Sequence, residues 1–156
     1  MKNEKTKIII NILLFTILII ELIPTKIIPV YAHYIFGLLF AFLLLIHIYL
    51  NRKWCVLMTK ALISGKPNQK AKRQYRTDLL LLILCIFVII SGFPTMGYAM
   101  GAGRELIIFK FIHVILSRIT VLVTLIHLYQ HKGQIRSYFK RISGKTLKQR
   151  DNQDVK

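Results

Sequence analysis

Residues 33–52 read HYIFGLLFAFLLLIHIYLNR, and residues 113–132 read HVILSRITVLVTLIHLYQHK. Each stretch opens on a histidine and places a second one fourteen residues later, in an otherwise mostly apolar run. Fourteen residues is two heptads, so on a helix both imidazoles return to nearly the same face. At ~1.5 Å of rise per residue they stand ~21 Å apart along the axis. The surroundings repeat as well: His47-Ile48-Tyr49-Leu50-Asn51-Arg52 parallels His127-Leu128-Tyr129-Gln130-His131-Lys132. Such internal similarity predicts two helical hairpins of like design.

Around these stretches the chain is apolar throughout: 54% of its 156 residues are hydrophobic. Four runs, at 7–23, 27–50, 78–99 and 105–130, are long enough to cross a bilayer as helices and show no strand-like alternation. Backbone polar groups in lipid must be satisfied within each helix, so an all-α four-helix transmembrane bundle is expected over 1–140. The remaining 141–156 is polar and basic, which reads as a disordered tail.

The net charge of +17 invites a nucleic-acid reading, but its distribution opposes it. Of 23 Lys and Arg, three lie at residues 2–7 where the first run begins, eight lie from Arg52 to Arg76, and eight follow from Lys132. The other side holds Lys26, Arg104 and Lys110, with Arg118 inside the last run. This asymmetry is the positive-inside pattern of a multi-pass cell-membrane protein with both termini cytoplasmic, its basic segments lying against membrane lipid. No base-reading module accompanies the charge, so no nucleic-acid partner is expected. A basic start followed by an apolar stretch and Val30-Tyr31-Ala32 imitates a cleavable leader. Cutting there would leave His33 at a new terminus and remove one of four spans, so the chain is expected uncut.

Pro24 and Pro29 bracket a turn after the first span, and 54–63 suits a short interfacial helix broken by Ser64-Gly65-Lys66-Pro67-Asn68. Ser91-Gly92-Phe93-Pro94 reads as a kink or as room for a cofactor, and Gly97, Gly101 and Gly103 as a flexible connection. Glu21 is expected at the interface, paired with Lys26, and Asn11 is expected to hydrogen-bond between helices. Cys55 and Cys85 are too far apart in depth for a disulfide, and the absence of C-x-x-C-H excludes covalent haem attachment.

With four spans the second and fourth helices run in the same direction. His33 then meets His113 near the external side and His47 meets His127 near the cytoplasm, without shifting either helix. Facing histidines in a bundle core can clamp a haem iron from both axial positions, which favours electron transfer over oxygen or substrate chemistry. The expected cofactors are therefore two haem b, with His33, His47, His113 and His127 as iron ligands. Gly37, one turn after His33, leaves space for the flat macrocycle. Ser117 lies near the histidine face, and Thr124 is expected to bond back to a carbonyl. Arg118 is costly in hydrocarbon and is expected to pair with a haem propionate, with Lys110 reaching either the external interface or the outer propionate. His131 reads as a propionate contact or a solvated histidine. A zinc or copper transporter is the chemical rival, weakened by the near absence of carboxylates within the spans. A haem-free assembly subunit is the other.

The order His33-x3-Gly37, His47 with Asn51-Arg52-Lys53-Trp54, Thr59-Lys60-Ala61-Leu62-Ile63-Ser64-Gly65, Arg76-Thr77-Asp78-Leu79, Ser91-Gly92 and the His113 and His127 pair resembles the flavinylation-associated cytochrome family over nearly the whole chain to about residue 140. Arg76-Thr77 departs from the asparagine-tyrosine-like pair expected there, without touching a histidine. The resemblance implies a small di-haem b-type membrane cytochrome whose partner is an extracytoplasmic FMN-binding protein or another redox protein. Electrons would then come from quinol or a cytoplasmic-side donor. The chain carries neither a nicotinamide fingerprint nor a flavin domain, so it reads as a subunit of a redox system rather than a stand-alone enzyme.

Overall fold

In the computed structural model, residues 2–24, 26–65, 68–101, 103 and 106–154 are described, with side chains for all of these except 2–4, 138, 139 and 141–154. Four helices follow one another: α1 (Lys2–Glu21), α2 (Val30–Ile63), α3 (Gln69–Ala99) and α4 (Ile107–Asp154). There is no strand among the described residues. Three stretches, Val30–Ile63, Gln69–Ala99 and Ile107–Ser137, are long and apolar enough to cross a membrane.

The local chemistry explains where the helices begin. Pro24 and Pro29 turn the chain between α1 and α2, with the Ile27 amide donating to Pro24 O at 2.8 Å and the Ala32 amide to Pro29 O at 2.9 Å. The Asn68 side chain caps α3 by accepting from the Lys70 amide at 3.0 Å, which satisfies one of the orphan donors of the first turn. Gly65 (φ +70°) and Gly101 (φ +86°) follow the ends of α2 and α3 in the left-handed region that glycine adopts without strain.

Several helices outrun their apolar cores. α2 is continuous through 54–63, where a separate interfacial helix is predicted, because Asn51-Arg52-Lys53 is polar without being helix-breaking. α3 starts at Gln69, so the basic 70–76 forms an added helical turn or two below its apolar part. The α4 backbone remains helical to Asp154, through the stretch whose composition suggests disorder, since no proline interrupts it and Lys, Arg and Gln propagate helix well. α3 also runs through Pro94. There Thr95 Oγ1 donates to Ser91 O at 2.8 Å, one turn back in the ladder beside the missing proline N–H.

α1 packs on α2, α3 packs most extensively on α4, and α2 joins the two hairpins through α3. The α1–α2 seam has an apolar cluster: Ile10, Ile17 and Leu43 are buried, with Leu14, Phe36, Phe40, Ile46 and Leu50 packed around them. The α3–α4 seam is built from small and polar groups instead. Asp78, Cys85 and Gly92 recur every seven residues along α3, and His127, Thr120 and His113 recur every seven along α4 in the opposite sense. Asp78 touches His127 and Gly92 lies against His113. The same register sets Cys85 level with Thr120, each only 4% exposed. Small side chains at that level let the two backbones approach closely. α2 and α4 form no extended backbone contact among the described residues. They meet through side chains.

Candidate functional site

The four histidines of the repeated spacing sit at two levels. At the first, His33 from α2 and His113 from α4 have ring centroids 6.2 Å apart and planes crossed at 84°. The Nδ1 of His33 donates to Glu21 Oε2 at 3.0 Å. The Nδ1 of His113 donates to the Val88 carbonyl at 3.0 Å, with Ser91 Oγ 3.1 Å from the same nitrogen. A carboxylate and a carbonyl only accept, so both Nδ1 atoms carry a proton, and in the neutral ring each Nε2 then keeps its lone pair.

At the second level, His47 Nδ1 donates to Asn11 Oδ1 at 2.8 Å and His127 Nδ1 to Asp78 Oδ1 at 2.7 Å. His47, His127, Asp78 and His131 lie within electrostatic reach of one another. His131 reaches the same carboxylate oxygen through Nε2 at 3.3 Å, and its Nδ1 faces Gln134 Oε1 at 3.3 Å. Its ring lies 4.5 Å from that of His127 and 6.3 Å from that of Trp54. With 14% of its side chain exposed against 21% for His127, His131 is no solvated histidine at the bundle rim. Asn51, its counterpart in the repeat, donates to the His47 carbonyl at 2.9 Å and accepts from Lys7 Nζ at 3.1 Å.

All four spaced histidines thus share one arrangement: Nδ1 is held by an acceptor, and Nε2 has no hydrogen-bond partner among the described residues. This is how proteins orient metal-ligating imidazoles, the outer acceptor setting tautomer and ring direction. Asp78, His127 and His131 also bring one ligand atom each to within 4.8 Å of one another.

The remaining predicted site residues divide. Gly37 stands at the His33 level, where an added Cβ would lie 3.9 Å from Glu21 Oε2, an ordinary contact. At Gly92 an added Cβ would likewise meet His113 Cε1 at an ordinary 3.5 Å. Ser117 lies on the inner side of α4, and its hydroxyl donates to the His113 carbonyl at 2.7 Å. Thr124 donates to the Thr120 carbonyl at 2.8 Å. Arg118 is not brought to the histidines. Five residues from His113 and nine from His127, it projects from the opposite, exposed face of α4. Lys110 sits with its Nζ 5.7 Å from the Tyr98 ring centroid.

Glu21 departs from its expected pairing with Lys26: it serves His33, and no ion pair to Lys26 occurs among the described residues. Its second oxygen, Oε1, is buried without a partner among the described residues. The repeated spacing marks all four histidines but carries no sign of the acceptor roles of Glu21, Asp78 and Val88, nor of Asn11's partner. An antiparallel register supplies the missing signal. Asn11 faces His47, Lys7 faces Asn51 and Glu21 faces Gly37 in one constant α1–α2 register.

Comparison with family models, with curated proteins and with solved structures finds no match.

Proposed function

We propose that the chain is a multi-pass membrane electron-transfer subunit in which His33 with His113, and His47 with His127, each hold one b-type haem. The observation that carries this reading is the common state of the four imidazoles, each with Nδ1 engaged and Nε2 without a hydrogen-bond partner among the described residues. The 6.2 Å between the His33 and His113 ring centres supports it.

When bound, such haems would supply one-electron carriers held by His33 with His113 and by His47 with His127. The chain's own residues do the rest. Glu21, Asn11, Val88 and Asp78 hold each ring in the tautomer that presents Nε2. The apolar cluster around Leu43 fixes α1 against α2 and so sets the heights of Asn11 and Glu21 against His47 and His33. In this proposal α1 is the fourth span, both termini face the cytoplasm, and the His33 level faces outward. The partner is then an extracytoplasmic FMN-binding or other redox protein, with quinol or a cytoplasmic-side donor at the other end.

The test is the reduced-minus-oxidised spectrum of the purified chain. A b-type signal with two haems per chain is expected; protein that stays pale after haem is offered ends the proposal. A second reading rests on the convergence of Asp78, His127 and His131, whose two imidazoles and carboxylate suit a divalent transition metal. It predicts cobalt binding by haem-free protein that Asp78→Ala abolishes and His33→Ala spares.

A further inference from the structure

Arg118 carries a permanent charge halfway along the apolar part of α4, on the face turned away from the other helices. Ile115 (56% exposed) and Leu122 (62% exposed) flank it one turn to either side. It makes no hydrogen bond or ion pair among the described residues. The interior cofactors proposed above cannot serve it either, because it points opposite to both histidines of its own helix. Its Cα lies twelve residues from Gln130, or ~18 Å of helix, and a similar distance from the other end of the span. Snorkelling suits residues near helix ends rather than one at this depth.

The occupant of this face must therefore bring a negative charge to mid-bilayer. A second copy of this chain does not qualify. Residues 107–137 contain no Asp or Glu, so a symmetric α4 contact would set Arg118 and Lys110 against their own kind. The two carboxylates near the described seams, Glu21 and Asp78, are turned inward and engaged by histidines. We propose that the Ile115–Arg118–Leu122 face of α4 docks a transmembrane helix of another protein, one that carries an Asp or Glu at mid-bilayer depth opposite Arg118. An ion pair shielded from water is strong and directional, and flanking isoleucine and leucine pack around it as the apolar part of a helix–helix interface. The inference needs α4 to cross the membrane but does not need haem to be present.

The experiment places a photoreactive phenylalanine analogue at Leu122, and separately at Ile115, in full-length chain in its native membranes, with adducts mapped by peptide mass. The expected adduct is an apolar membrane segment of a different protein containing an Asp or Glu. Its yield should fall at least tenfold with Arg118→Leu and persist with Arg118→Lys, while both variants keep the wild-type helical circular dichroism and, if the chain binds haem, its spectrum. Adducts to lipid alone, to a second copy, to a segment without a carboxylate, or unchanged by Arg118→Leu would overturn the proposal, as would no adduct at either position.

Discussion

The two histidine levels have matched spacing but unlike support. At the His33 level one ring is backed by a carboxylate that serves it alone, and the other by a main-chain carbonyl. At the His47 level one ring is backed by a neutral amide, and the other by Asp78, which also receives His131. A main-chain acceptor cannot be removed by substitution, whereas a shared carboxylate concentrates the support of two rings in one side chain. Equal spacing therefore conceals unequal vulnerability.

The largest expected effect separates the levels altogether. If the chain holds the two haems proposed above, His113→Ala should remove one and leave the other's spectrum intact, and His127→Ala should remove the complementary one. Loss of both from either variant would show that the levels are not independent. Next comes Asp78→Ala, which strands two imidazoles at once. Haem affinity at that level should fall by about 10–100-fold, and thermal unfolding should report a loss of about 1–3 kcal/mol for the groups left unsatisfied. Equal damage at the His33 level would contradict the local role assigned to Asp78.

Glu21→Gln is milder because an amide oxygen can still accept from His33 Nδ1. Occupancy should hold, while the midpoint potential of that level rises as the imidazole loses its anionic backing; an unmoved potential would place the carboxylate outside the ligand's influence. Ser91→Ala should cost less than about 1 kcal/mol, since Val88 O remains as acceptor. Gly92→Ala should fold as well as the parent. Its new Cβ would meet His113 Cε1 at 3.5 Å, an ordinary contact, and alanine favours helix by roughly 1 kcal/mol. A large loss in either variant, read by thermal unfolding, would mean that His113 is held more tightly than its hydrogen bonds indicate.

Much of this was legible in the order of residues. Long apolar runs state that helices form, and prolines 24 and 29 with Asn68 mark where two of them begin. The fourteen-residue interval aligns His33 with His47 and His113 with His127 because helical periodicity is a local property. Helix ends were less legible. Lys, Arg and Gln carry a helix onward without any apolar signal, so α3 starts earlier and α4 ends later than hydropathy implies. Arg118 shows the other limit. Its charge marked it as requiring a partner, yet hydropathy alone assigned it inward, and a count of 100° per residue from His113 would already have turned it outward.

The chain alone determined that there are helices and which histidines share a face, since both follow from backbone geometry within one element. Only the tertiary structure decided which acceptor holds each ring. Asn11 with His47, Glu21 with His33 and Asp78 with both His127 and His131 lie 36, 12, 49 and 53 residues apart in sequence. Those meetings depend on how one helix slides along its neighbour, which side-chain packing sets and no single helix encodes.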